Sequence, residues 1–269
     1  MKTFWYALVR VINENGMGLA SSVAFSFMLS IFPMIVFSAS LIAFIGNEVL
    51  IGDILSGFEV FFPADITQIL LPEIKKVLNT QRVDLLTVGG LLMLFFASTG
   101  TQSLRGALNR AYEVRENRSI IWLIIHSFLF VIQFTFVLSV ITTAVFSATI
   151  LAQQLAPAID GTVDMALAIK VGSYVVAVIV MLIELFIIHA FLPAGRRTLG
   201  EIWPGAFVSI ILWLLCAVGY SFYVSIANYT ELYAGLSRFI IVLIFFQVTA
   251  MIIIIGAGVN RARIIARQQ

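Results

Sequence analysis

The sequence predicts an all-α polytopic membrane protein. It has six transmembrane helices and an external amphipathic helical segment between the first and the second. Sixty-one per cent of the 269 residues are hydrophobic and only 11% are charged, against about 45–50% and about 25% in soluble proteins. The mean hydropathy is +1.06, which leaves too little polar surface to cover a water-exposed globule. The apolar residues also run in long unbroken blocks, whereas a transmembrane β-barrel alternates polar and apolar positions. A disordered chain, a disulfide scaffold and a soluble enzyme are disfavoured together. The lone Cys216 permits no internal disulfide. The net charge of +2 gives no nucleic-acid footprint.

Each spanning helix needs about 20 mostly apolar residues, and the blocks that qualify run at about 19–45, 85–104, 120–151, 165–192, 202–226 and 239–259. The first is interrupted by Pro33. It is too long for a signal-peptide core and carries no A-x-A-like site, so it reads as a retained span. The third is long enough to tilt or protrude. Segment 46–84 breaks the pattern with Glu48, Asp53, Glu59, Asp65, Glu73, Lys75, Lys76 and Arg82, punctuated by Pro63 and Pro72. Ile66, Ile69, Leu70, Ile74, Val77 and Leu78 recur there at helical spacing, as in helices lying on a membrane surface or capping the bundle. Lys2, Arg10, Arg105, Arg110, Arg115, Arg118, Arg196, Arg197, Arg261, Arg263 and Arg267 fall on one side of this topology. Lys75, Lys76, Arg82, Arg238 and Lys170 fall on the other. The positive-inside rule then places both termini in the cytoplasm.

Glu184 is the only carboxylate inside an expected span. It shares a helical stripe with Lys170, Ser173, Tyr174, Ala177 and Met181. A carboxylate facing lipid costs several kcal/mol, so the stripe should face the bundle or a wet cavity. Glu184 is either a proton, cation or substrate site or a carboxyl that locks helices together. Lys170 lies roughly 21 Å along the axis from it, which excludes a salt bridge, and should snorkel to the headgroups. Further small and polar stripes carry Thr87, Gly90, Ser98, Thr101 and Arg105; Gly205, Ser209, Cys216, Gly219 and Tyr223; and Ser22, Ser26, Leu29, Pro33 and Ser40. Close helix packing explains such stripes; a central polar cavity with Ser173, Tyr174, Ser26, Ser98 and Thr101 around Glu184 is the functional alternative. Pro33 removes a backbone donor whose acceptor Ser30 and Ser26 could serve, making a kink and a gate there. Gln133 and Gln247 read as lone helix–helix hydrogen bonds. Arg105, Asn109, Arg110, Arg196 and Arg197 are candidate contacts for anionic lipid headgroups or a phosphate-bearing ligand. Asn-Arg-Ala occurs at both Asn109 and Asn260, suggesting a shared helix-end role.

The stretch Ser22-Val-Ala-Phe-Ser-Phe-Met-Leu-Ser-Ile-Phe-Pro33 resembles the first span of the YihY/BrkB family of bacterial inner-membrane proteins. Gly100–Tyr112, Leu192-Pro-Ala-Gly-Arg-Arg197 with Trp203-Pro-Gly-Ala206, Asn228–Ser237 and Gly256-Ala-Gly-Val-Asn260 resemble later segments of that family in the same order. Gly258 stands where the family often has an acidic residue, and segment 46–84 matches no motif. The resemblance implies a six-span bundle, no settled activity and an old label of tRNA-processing ribonuclease. The residues do not favour that label. His126 and His189 lie at span edges, and there is no H-x-H-x-D, H-E-x-x-H, G-x-S-x-G or G-x-x-x-x-G-K-[ST] motif. No cofactor is expected, and the partner is the lipid bilayer rather than nucleic acid. The leading expectation is a non-enzymatic transporter or permease for a small molecule, ion or lipid, with its polar site at Glu184. The alternative is an envelope scaffold or assembly factor acting through 46–84.

Overall fold

The computed structural model describes residues 15–45, 83–155, 162–226 and 234–268, with Val9 and Pro72 besides. They form six helices: α1 Gly16–Ile45, α2 Val83–Ala111, α3 Ile120–Leu155, α4 Thr162–Phe191, α5 Leu199–Ile226 and α6 Ala234–Gln268. No strand occurs among the described residues. Segment 46–84 lies outside them, apart from Pro72 and the first residues of α2. Helices α2 to α6 each contain a stretch long and apolar enough to cross a membrane, and the described start of α1, Gly16–Ser30, is apolar too. The protein is a polytopic all-α membrane protein.

Each helix packs against its neighbour in sequence, and α6 closes the ring by packing on α1 and α2. Outward faces are apolar: Leu91 and Phe95 on α2, Ile132 and Phe136 on α3, and Leu215, Val218 and Phe222 on α5 are all exposed. Such a surface is stable only against lipid. At one end of the bundle α6 is buried on every side from Ile252 to Asn260, the mark of a central helix.

Local sequence explains the helix ends there. Ser119 Oγ accepts from Trp122 N at the start of α3 (3.3 Å). Thr198 and Glu201 open α5, with Thr198 N donating to Glu201 Oε2 (2.7 Å), half of a capping box. α2 ends in a Schellman turn, in which Val114 N reaches Asn109 O and Glu113 N reaches Arg110 O. Glu113 takes the left-handed position (φ 56°) usually given to glycine, and its carboxylate is held by Arg261 at 2.8 Å.

Parts of the small-residue stripes are helix seams. Space beside Gly89, Gly90 and Gly100 on α2 is filled by Val36, Phe37 and Phe27 of α1, and Gly205 of α5 abuts Gly256 of α6. α1 is helical on both sides of Pro33 without interruption. The expected relief of the proline does not occur: Ser30 Oγ donates to Phe27 O (2.6 Å) and Ser26 Oγ to Ser22 O (3.0 Å). Proline at 33 frees the carbonyl of Leu29, four residues back, and neither hydroxyl reaches it.

Candidate functional site

Glu184 faces α3. Its side chain is 5% exposed, and Gln133 Nε2 donates to its Oε2. Glu184 Oε1 and Gln133 Oε1 are both buried without a partner. Gln133 thus makes the helix–helix hydrogen bond expected of it, with Glu184 as the partner. The pairing was readable: α3 and α4 are joined by a short link, and the two residues lie equally far from it, counted from Leu155 and from Thr162.

The remaining candidates do not gather around Glu184. Ser173 is buried on the same helix, but its hydroxyl is spent on Lys170 O (2.8 Å). Tyr174 is 61% exposed and points outward, contrary to its expected place in the polar stripe; one residue from Ser173 is a 100° turn, enough to leave the buried face. Ser26, Ser98 and Thr101 are buried on α1 and α2, and each hydroxyl bonds a carbonyl of its own helix. Among the described residues these hydroxyls are thus not brought together with Glu184.

The denser polar construction lies at the arginine-rich end of the bundle, where α2, α4, α5 and α6 meet. Tyr112, 1% exposed, is its hub. Asn260 Nδ2 donates to the Tyr112 hydroxyl (2.8 Å). That leaves the hydroxyl proton to donate to His189 Nδ1 (3.1 Å). His189 then carries its own proton on Nε2, which is buried without a partner. Asn260 Oδ1 accepts from Gly205 N (2.6 Å). Asn109 acts alike: its Oδ1 accepts from Ala194 N (2.6 Å) and its Nδ2 donates to Glu116 (3.0 Å). The repeated Asn-Arg-Ala thus has one shared task, which is to clamp the backbone around the α4–α5 link.

Charges fill the remaining space. Arg118 holds Glu116 at 2.8 Å and donates to Leu192 O (3.0 Å). Arg197 lies 3.9 Å above the Tyr112 ring and donates to Ala194 O (2.9 Å). Its Nη1 is buried without a partner. Arg105 is 4% exposed, donating to Leu123 O (3.2 Å). Arg105 and Asn109 are therefore interior struts rather than headgroup contacts, because α2 turns that face onto α3 and the link. Arg110 and Arg196 are exposed, as a surface contact requires. Arg118 holds the Glu116 carboxyl down to about 2 against the opposing effect of burial, with help from Asn109. Burial pushes the Tyr112 hydroxyl up, so it stays neutral, and lowers the Arg197 guanidinium.

Residues 7–268 match the protein family described as virulence factor BrkB. The chain belongs to that family. A protein of Bacillus subtilis (strain 168), YfkH, whose name calls it ribonuclease-like, is 30% identical over 255 residues, covering 93% of this chain and 91% of the relative. No solved structure matches. In this BrkB-family chain, no three of His, Cys, Asp and Glu gather into a metal-binding group among the described residues.

Proposed function

We propose that this BrkB-family protein is a permease that moves a small molecule, ion or lipid across the bacterial inner membrane, with Gln133–Glu184 as its intramembrane polar site. One observation carries the reading: a carboxyl buried between two apolar helices has one oxygen held by Gln133 and the other unpartnered. Ionisable groups inside spans are costly and mark ion or substrate paths. By the positive-inside rule the Tyr112 cluster faces the cytoplasm, as do both termini. The reading includes no nuclease. Metal-dependent phosphodiester cleavage needs convergent ligands, whereas Glu113, Glu116, Glu184 and Glu201 are each engaged by a protein donor. The scaffold alternative rests on segment 46–84, which lies outside the described residues.

Proteoliposomes under an imposed pH or sodium gradient test the proposal against a panel of labelled solutes and lipids. Glu184→Gln keeps an acceptor for Gln133 and removes the acid. The expected result is gradient-driven movement by the wild type that the folded variant loses. Equal movement by both proteins, or none by either across the panel, overturns the reading.

A further inference from the structure

We propose that a groove between α3, α4 and α5 binds an anionic phospholipid, with one acyl chain along its walls and the phosphate against Arg196 and Arg197. The site is separate from the Gln133–Glu184 pair, and its assignment stands whether or not the protein transports anything.

The groove has a volume of about 990 Å³. Its walls are mostly apolar: Ile183, Phe186, Ile187 and Phe191 of α4, with Trp122 of α3 and Trp203 of α5, and His126 of α3 among them. It opens sideways, since Ile183 and Phe191 are 52% and 63% exposed, and in a bilayer that side meets acyl chains. From Ile183 to Phe191 it runs about 12 Å along α4, most of the ~15 Å hydrocarbon depth of one leaflet. The two tryptophans lie near the arginine end, the level that indole rings favour at the headgroups.

Charge selects the occupant's head. Arg118, Arg196 and Arg197 line the groove and, among the described residues, no carboxylate does. Arg118 is neutralised by Glu116. Arg196 is exposed, a guanidinium fork that suits phosphate oxygens, and Arg197, held over Tyr112, adds its charge beside it. Leu199 and Gly200 at the N-terminal end of α5 line the same end, adding the partial positive charge of a helix start. A soluble phosphate ester would use the arginines and waste the walls; a zwitterionic lipid would use the walls and gain little from the arginines. An anionic phospholipid uses both.

Trp122 and Trp203 line the groove, so they can report it. In a Trp5→Phe/Trp213→Phe background they are the remaining tryptophans. The protein is reconstituted with brominated phosphatidylglycerol or brominated phosphatidylcholine, and quenching is read as relative affinity. Phosphatidylglycerol should be preferred about fivefold or more, and Arg196→Gln should reduce that preference about fivefold. Ala190→Phe, which fills the groove, should weaken quenching by both lipids. Arg196 is exposed, so its loss should leave folding intact even where an Arg197 variant fails to fold. Equal quenching by the two lipids, an unchanged preference in Arg196→Gln, or displacement of the bromolipid by millimolar glycerol phosphate would each overturn the assignment.

Discussion

Gly205→Ala isolates the contact that holds the arginine-rich end together. A Cβ at Gly205 would fall inside van der Waals contact of the Gly256 carbonyl oxygen and 2.5 Å from Asn260 Nδ2. Both obstacles are rigid: one is helix backbone, and the other is a fully buried amide already bonded to Tyr112 and to Gly205 itself. α5 and α6 would have to part, and overpacking of this kind costs about 1–3 kcal/mol. Parting also weakens the Gly205–Asn260 and Asn260–Tyr112 hydrogen bonds, about 1 kcal/mol each. Alanine gains about 1 kcal/mol of helix propensity in return. The net expectation is a loss of about 1–4 kcal/mol. Gly219 on the same helix has nothing within 4 Å of its added Cβ, so Gly219→Ala should show only the propensity gain. Reversible unfolding of purified protein in mixed micelles titrated with SDS, followed by far-UV circular dichroism, measures both. If the two variants fall within about 0.5 kcal/mol of each other, the glycine crossing is not the close contact described.

Tyr112→Phe keeps the ring under Arg197 but strands His189 Nδ1 and Asn260 Nδ2 inside the protein; it should cost about 2–4 kcal/mol in the same titration, and a loss under 1 kcal/mol would contradict a fully committed hydroxyl. Glu116 is depressed from an ordinary 4.5 to about 2, so its stabilisation is complete above pH 4.5 and disappears as pH falls toward 2. With its side chain 23% exposed, that contribution should be about 1–2 kcal/mol after screening. Glu116→Gln should flatten the stability profile across that window, and an unchanged profile would show that Arg118 does not hold the carboxylate. Gln133→Leu should cost about 1–3 kcal/mol by stranding Glu184, whereas Gln133→Leu/Glu184→Leu should restore most of the loss because neither polar group remains. A double variant no better than the single one would argue that the pair is not an isolated polar contact.

The bundle was legible because the bilayer imposes a length and a polarity on every span, so hydropathy alone announced long apolar helices. Seams between helices were legible only in part. The stripe rule placed Ser26, Ser98, Thr101 and Ser173 on inward faces correctly, but it could not say which helix each face meets. Hydroxyls in an apolar helix bond their own backbone first, and all four did so rather than line a cavity. Tyr174 was misplaced because a stripe drawn at i+3 and i+4 is wider than the buried strip of α4. The Tyr112 cluster was the least readable. Tyr112, His189 and Asn260 are far apart in sequence, and only the docking of α2, α4 and α6 brings them together. The arginines misled for a related reason: the positive-inside pattern counts charges by loop and does not distinguish Arg196, which meets solvent, from Arg105, which is a buried strut.

Asparagine at 109 and 260 is explained by what its amide can do at one point. Each site must cap a backbone N–H, of Ala194 or of Gly205, and also supply a donor, to Glu116 or to the Tyr112 hydroxyl. Aspartate would supply the first bond and not the second, and at 109 it would set two carboxylates face to face. Serine is too short to bridge two groups on different elements. The pair therefore fixes the α4–α5 link from both sides, with α2 holding its beginning and α6 the first turns of α5. Gly195, at φ 85°, lets the chain reverse between those clamps. Arg196 follows directly and is left in solvent, while Arg197 is drawn in over Tyr112. The same clamps that order this end thus set two adjacent arginines, one exposed and one buried, at the mouth of the apolar groove.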